Sequence, residues 1–193
     1  MSEEFNSFLA RLSEDLEYIQ IGSQEFSSRE LYICDPMDQA QLPISEPIVP
    51  GRYPLYVFRK NWAYHSTVDP SPYNARFEIW FSDVEPTQWE QLISEGNDVY
   101  DGLFSAEFGL MSFLDKRLMD RLTPINKEGE LFDKYLSPQA YNNLVLLPYA
   151  EVEIDEAHRL FVVQSGRGNG IYGAFAGRDN SGTLLRISVD FEM

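Results

Sequence analysis

Gly166, Gly168 and Gly170 alternate in the run Gly166-Arg167-Gly168-Asn169-Gly170. Glycines this close can cradle a phosphate when a helix comes next. The next residues here are Ile171-Tyr172-Gly173-Ala174-Phe175, which read as a strand, and neither G-x-G-x-x-G nor Gly-Lys-Ser/Thr occurs. The run is expected to be a wide turn that needs the backbone freedom of glycine. The two histidines, His65 and His158, are far apart and have no His or Cys at ligand spacing, so no metal site is expected. Asp179-Asn180-Ser181-Gly182 has the oxygen-rich start of a Ca²⁺ loop without its closing Glu, and fits a hairpin turn better. Nucleophilic catalysis lacks a G-x-S-x-G, and Cys34 sits in the apolar run Leu31-Tyr32-Ile33-Cys34. Asp101 with Glu107 or Asp115 could do acid–base work, although some carboxylates must lie close together in a chain with 31 acids. A cluster of aromatic residues from Trp62 to Trp89 could line a groove or simply fill a core.

The elements that must position these residues are legible in part. Phe5, Phe8, Leu9, Leu12 and Leu16 form one helical stripe, with Ser2 placed to cap it. After Gly22 the texture changes to short apolar runs punctuated by Pro and Gly. Residues 30–34, 53–59 and 76–81 read as strands, and the Pro-rich stretch 39–51 as an ordered surface loop. Residues 86–93 read as a short helix opened by Pro86 and closed by Gly96. Residues 110–122 read as a longer one, striped by Leu110, Phe113, Leu114, Leu118 and Leu122 and stopped by Pro124. Residues 132–136 suggest a further helical turn, and 144–147 a short apolar run. At the C-terminus, residues 160–164, 171–177 and 183–191 read as an antiparallel meander. In its last strand Leu185, Ile187, Val189 and Phe191 oppose a mostly polar face, as expected of a sheet wet on one side.

Composition bounds the function classes. The 193 residues suit a single domain spanning 1–193, and 44% apolar with 14% aromatic residues can offset the entropy of ordering. The net charge is −16, and residues 1–50 hold ten acids against two bases, Arg11 and Arg29, which is half of the excess. Such a field repels nucleic acid and anionic membranes and attracts a basic protein. One cysteine excludes an intrachain disulfide, and the acidic start Met1-Ser2-Glu3-Glu4 lacks the charge and apolar core of a signal peptide. No apolar run approaches the ~20 residues a bilayer requires. The expected location is the cytoplasm.

The C-terminal residues Gly166-x-Gly168-Asn169-Gly170-x-Tyr172, then Gly177-x-Asp179, Gly182 and Asp190-Phe191, resemble the terminal signature of the bacterial domain of unknown function family 4241. Asp35-Pro36, Pro50-Gly51-x-Tyr53-Pro54 and Val99-Tyr100-Asp101-Gly102 with Phe113-Leu114-Asp115 extend the likeness over nearly the whole chain. This chain has Asn169 where the family pattern carries Asp, and Asn supplies no carboxylate. The resemblance implies no activity.

The expectation is therefore a β-rich α+β fold: antiparallel sheets, a C-terminal meander, and an N-terminal amphipathic and a mid-chain helix packed on the sheet. The leading functional expectation is a non-catalytic acidic interaction protein of immunity type, neutralising a basic partner, without cofactor. The alternative is a small-molecule-binding protein or hydrolase whose carboxylate-lined pocket uses Asp101, Asp115, Gly168, Asn169, Tyr172 and Asp179.

Overall fold

The computed structural model describes residues 3–38, 43–61, 72–93, 103–141, 148–166 and 168–192. Ser2, Trp62, Tyr64, His65, Gly96, Asp101, Arg167 and the run 144–147 lie outside the described residues. Within them the chain is a β-rich α+β fold of eleven strands and three helices, with antiparallel pairing throughout. The large sheet has the order β1 (Glu17–Phe26), β3 (Gly51–Asn61), β4 (Pro72–Trp80), β11 (Leu184–Asp190), β10 (Gly170–Arg178). The last edge is shared by two short strands, β5 (Gln88–Gln91) and β6 (Leu103–Ala106), laid along different halves of β10. The small sheet has the order β2 (Leu31–Cys34), β7 (Leu110–Asp115), β9 (His158–Gln164), β8 (Tyr149–Asp155).

The two sheets face one another across the main core. Leu55, Val57, Phe77 and Ile187 from the large sheet meet Ile33, Phe113, Phe161 and Val163 from the small one, and the rings of Phe77 and Phe113 are 4.4 Å apart. The far side of the small sheet is covered by α2 (Lys116–Lys127) and by a π-type helix, α3 (Leu131–Tyr141), through Leu118, Leu122, Leu131 and Leu136. The far side of the large sheet receives α1 (Glu3–Leu12), whose Phe8 stacks on Phe175 at 3.9 Å and meets Trp89 edge-on. Burying one such ring stabilises the layer by about 2–3 kcal/mol.

Several local expectations are corrected by these layers. Residues 86–93 contain a strand, not a helix: Gln88–Gln91 pairs with β10 in the register Trp89↔Gly177. A Cβ on Gly177 would sit 2.6 Å from Pro86 Cγ and 2.9 Å from the Trp89 ring. The missing side chain thus gives the Pro86–Trp89 corner its seat. Residues 110–115 are strand β7, buried on both faces, and the mid-chain helix begins only at Lys116. Asp115 caps it by accepting the Leu118 N–H at 2.9 Å. Pro124 lies inside that helix on its exposed side, where water can bond the carbonyl that it leaves unmatched. The first helix ends at Leu12, and Gly22, rather than marking a boundary, sits at a bulge within β1. Strand β8 has no counterpart among the elements expected from the sequence.

The polar side of β11 is not wet. Arg186, Ser188 and Asp190 are buried, together with Arg76 and Glu78 on β4. Asp190 is paired with Arg11 of α1, whose Nε donates to its Oδ2 at 3.1 Å. The alternation of residue types is real, but helix α1 and ion pairs replace water over that face.

Candidate functional site

Strand β2 ends because Pro36 has no N–H to continue a ladder. The residue before it, Asp35, is completely buried and turns its carboxylate on the backbone. Oδ1 accepts the Met37 N–H at 3.0 Å, and Oδ2 accepts those of Phe108 at 2.8 Å and Leu110 at 3.3 Å. Burial raises the carboxyl pKa, and these three N–H groups oppose the rise without cancelling it. One side chain thereby fixes the turn between β6 and β7 to the end of β2.

That turn is locked from its other side by the glycine run. The connector between β9 and β10 carries the chain from the small sheet to the large one. Ser165 donates its N–H to Gly109 O at 2.9 Å. Gly168 O accepts the hydroxyls of Ser165 at 2.7 Å and Tyr172 at 2.6 Å. Gly109 has φ +73°, and a Cβ there would lie 3.2 Å from Asn169 N and Gly168 Cα. Glycine is needed for both conformation and clearance.

Between the two turns and α3 lies a cavity of about 470 Å³. Its walls are Met37, Phe108, Phe132, Leu136, Gln164 and Asn169, with Glu107 on the rim. Phe108 and Phe132 keep 58% and 39% of their surface exposed, unusual for rings that border a ready apolar hollow. The lining offers amide groups, the Glu107 carboxylate and apolar surface, a combination suited to holding a group with mixed polar and apolar character.

The expected site residues divide. Gly168, Asn169 and Tyr172 come together in the connector, with Tyr172 buried edge-on against Phe191 at 5.1 Å. Asp115 and Asp179 are elsewhere. Asp115 holds Ser27 through its N–H at 3.0 Å and its hydroxyl at 2.6 Å, besides capping α2. Asp179 closes the β10–β11 turn by accepting from Ser181 Oγ at 2.6 Å and from the N–H groups of Ser181 and Thr183. The Ser181 hydroxyl first, and then the backbone N–H groups, hold its carboxyl below the usual range. Among the described residues no three His, Cys, Asp or Glu side chains gather as a metal site. The N-terminal acids are also dispersed: Glu14 pairs with Lys60, Glu25 with Arg52 and Glu46 with Arg178, while Asp35 is interior. Asp35, Phe108 and Phe132 are site residues that the sequence did not suggest. The pointers to Asp35 are its place before a proline at the end of an apolar strand and the Asp35-Pro36 pair in the family likeness.

Among the described residues no helix is long and apolar enough to cross a membrane. Comparison with curated proteins and with solved structures finds no match. The family described as "Protein of unknown function (DUF4241)" matches residues 24–189, which include β2, the Asp35 turn and the glycine connector. The chain is a member of that family.

Proposed function

We propose that this chain is a non-catalytic binding protein of the bacterial cytoplasm that neutralises a basic protein partner in the manner of an immunity protein. Its cavity beside the glycine connector would take an apolar side chain of that partner. The observation that carries the reading is the pair of exposed rings, Phe108 and Phe132, at an apolar cavity with Glu107 on its rim and Asp133 next in sequence. Interfaces concentrate their energy in one desolvated apolar anchor, and charges around it steer the encounter. A net charge of −16 suits a basic partner. Of the carboxylates of the hydrolase reading, Asp101 lies outside the described residues, and Asp115 and Asp179 are engaged with their own turns, which favours binding over catalysis.

Selection of random displayed peptides on the intact protein tests the proposal. Enriched peptides should place Lys or Arg beside one bulky apolar residue and should lose binding to Phe108→Asp. Enrichment of acidic or uncharged peptides, or of basic peptides indifferent to Phe108→Asp, would overturn it.

A further inference from the structure

The outer face of the large sheet carries a second cleft, of about 540 Å³, between β4 and β11 and the chain just after α1. Two guanidinium groups form its floor. Arg186 lies opposite Trp80 in the β11–β4 register, with its guanidinium 3.7 Å from the centre of the indole. Arg76 lies opposite Phe58 and 4.2 Å from that ring's centre. Stacking shields the flat faces of both groups and leaves their N–H edges to do the recognition. Both side chains are more than nine-tenths buried. The Arg186 Nε has no hydrogen-bond partner among the described residues. The Arg76 Nε is 2.8 Å from Glu78 Oε1 but out of line for a hydrogen bond. Glu78 is itself buried and receives Trp80 Nε1 at 2.6 Å and Ser188 Oγ at 3.2 Å.

The anion facing Arg186 is Glu85, at 2.6 Å, on a side chain that is 80% exposed. A buried guanidinium held by a solvated loop carboxylate is an exchangeable arrangement. With its carboxylate in solvent the pair contributes little, whereas a carboxylate brought into the cleft could bond the fork out of water. Tyr18 extends the aromatic wall, 6.2 Å from the Trp80 ring, and Tyr56, which does not line the cleft, supports Trp80 at 4.0 Å. Four carboxylates line the cleft (Glu14, Asp15, Glu78 and Glu85) against the two guanidiniums; a monocarboxylate that displaces Glu85 keeps this balance, whereas a doubly charged ligand adds to the negative excess.

We propose that this cleft binds a small aromatic monocarboxylate, whose carboxylate replaces Glu85 on Arg186 and whose ring packs between Tyr18 and Trp80. Titration calorimetry with indole-3-carboxylate tests it, with benzamide as the uncharged ring and adenosine monophosphate as the dianion. Glu85→Gln removes the competing carboxylate at an exposed position and should tighten indole-3-carboxylate binding about fivefold, the scale of one surface ion pair. Arg186→Lys keeps the charge but loses the fork and should weaken binding about tenfold or more. The proposal is overturned if Glu85→Gln shows no saturable binding or no gain. It is equally overturned if benzamide or adenosine monophosphate binds as tightly as the carboxylate.

Discussion

The Asp35 carboxylate accepts the backbone N–H of Phe108 at 2.8 Å, joining positions 73 residues apart. The contact sets the wall of the cavity, because Phe108 leaves the turn in a direction fixed by its own amide. Asp35 also holds Met37 and Leu110, so the loss of one side chain orphans three part-buried donors.

Asp35→Ala should destabilise the protein by about 3 kcal/mol or more, since each stranded donor carries a desolvation cost. Urea denaturation measures the loss. Amide exchange should accelerate first at Phe108 and Leu110, and Asp35→Asn, which keeps an acceptor oxygen, should recover part of the stability.

The rings of α1 and its one buried ion pair should answer differently to pH. Burial raises the Asp190 carboxyl pKa despite the Arg11 guanidinium beside it. Between the unfolded value of 3.8 and the raised folded one, the native state holds the proton more tightly. The Asp190 contribution therefore favours folding at low pH and is lost as pH rises through the folded value. Arg11→Ala leaves an ionised Asp190 buried alone and should cost about 3 kcal/mol at neutral pH. The penalty should shrink on acidification as Asp190 protonates, whereas the cost of Phe8→Ala should show no such change. Thermal unfolding of both variants across pH separates them.

Asp155 and Asp179 should titrate in the opposite sense. Hydrogen bonds hold both below 3.8, from His158 first at Asp155 and from Ser181 first at Asp179. Their contribution is present above 3.8 and is lost as pH falls through the folded values. Carboxyl-carbon NMR should place Asp35 and Asp190 above 3.8 and these two below it.

Gly22 tests the packing of the two sheets. Its φ is +151°, and a Cβ there would lie 2.4 Å from Phe161 Cε1. Gly22→Ala should destabilise by about 3 kcal/mol through overpacking and backbone strain. Adding Phe161→Leu should return the part due to the clash and not the part due to φ, as chemical denaturation of the double-mutant cycle would report.

The strands with clean alternation, β3 and β4, could be read from the sequence because a period of two with one apolar face leaves few alternatives. So could the C-terminal hairpin, with Asp179 and Gly182 marking its turn. Residues 86–93 misled because Trp89, Leu92 and Ile93 fit a helical stripe, while a bare Gly177 on a distant strand decided for β-pairing. Residues 110–115 misled because a strand buried on both faces has no period of its own and blends into the helix that Asp115 caps. At the cavity, the glycines announced a turn, and Tyr172 and Asn169 were found with it. Phe108 and Asp35 were not, because their relationship is tertiary and neither residue type signals it. Asp115 and Asp179 read as available in sequence and are occupied, Asp179 by Ser181 and Thr183 in its own turn and Asp115 by the Leu118 N–H and the distant Ser27.

Partner binding at the cavity is tested most directly by the affinity of a selected basic peptide with one bulky apolar residue for the wild-type protein and for Phe108→Asp, measured at two salt concentrations. Wild-type binding should weaken as salt rises, and Phe108→Asp should lose at least about tenfold at both concentrations, the scale of one interface hot spot. Equal affinity of the two proteins, or binding indifferent to salt, would contradict a steered, apolar-anchored interface.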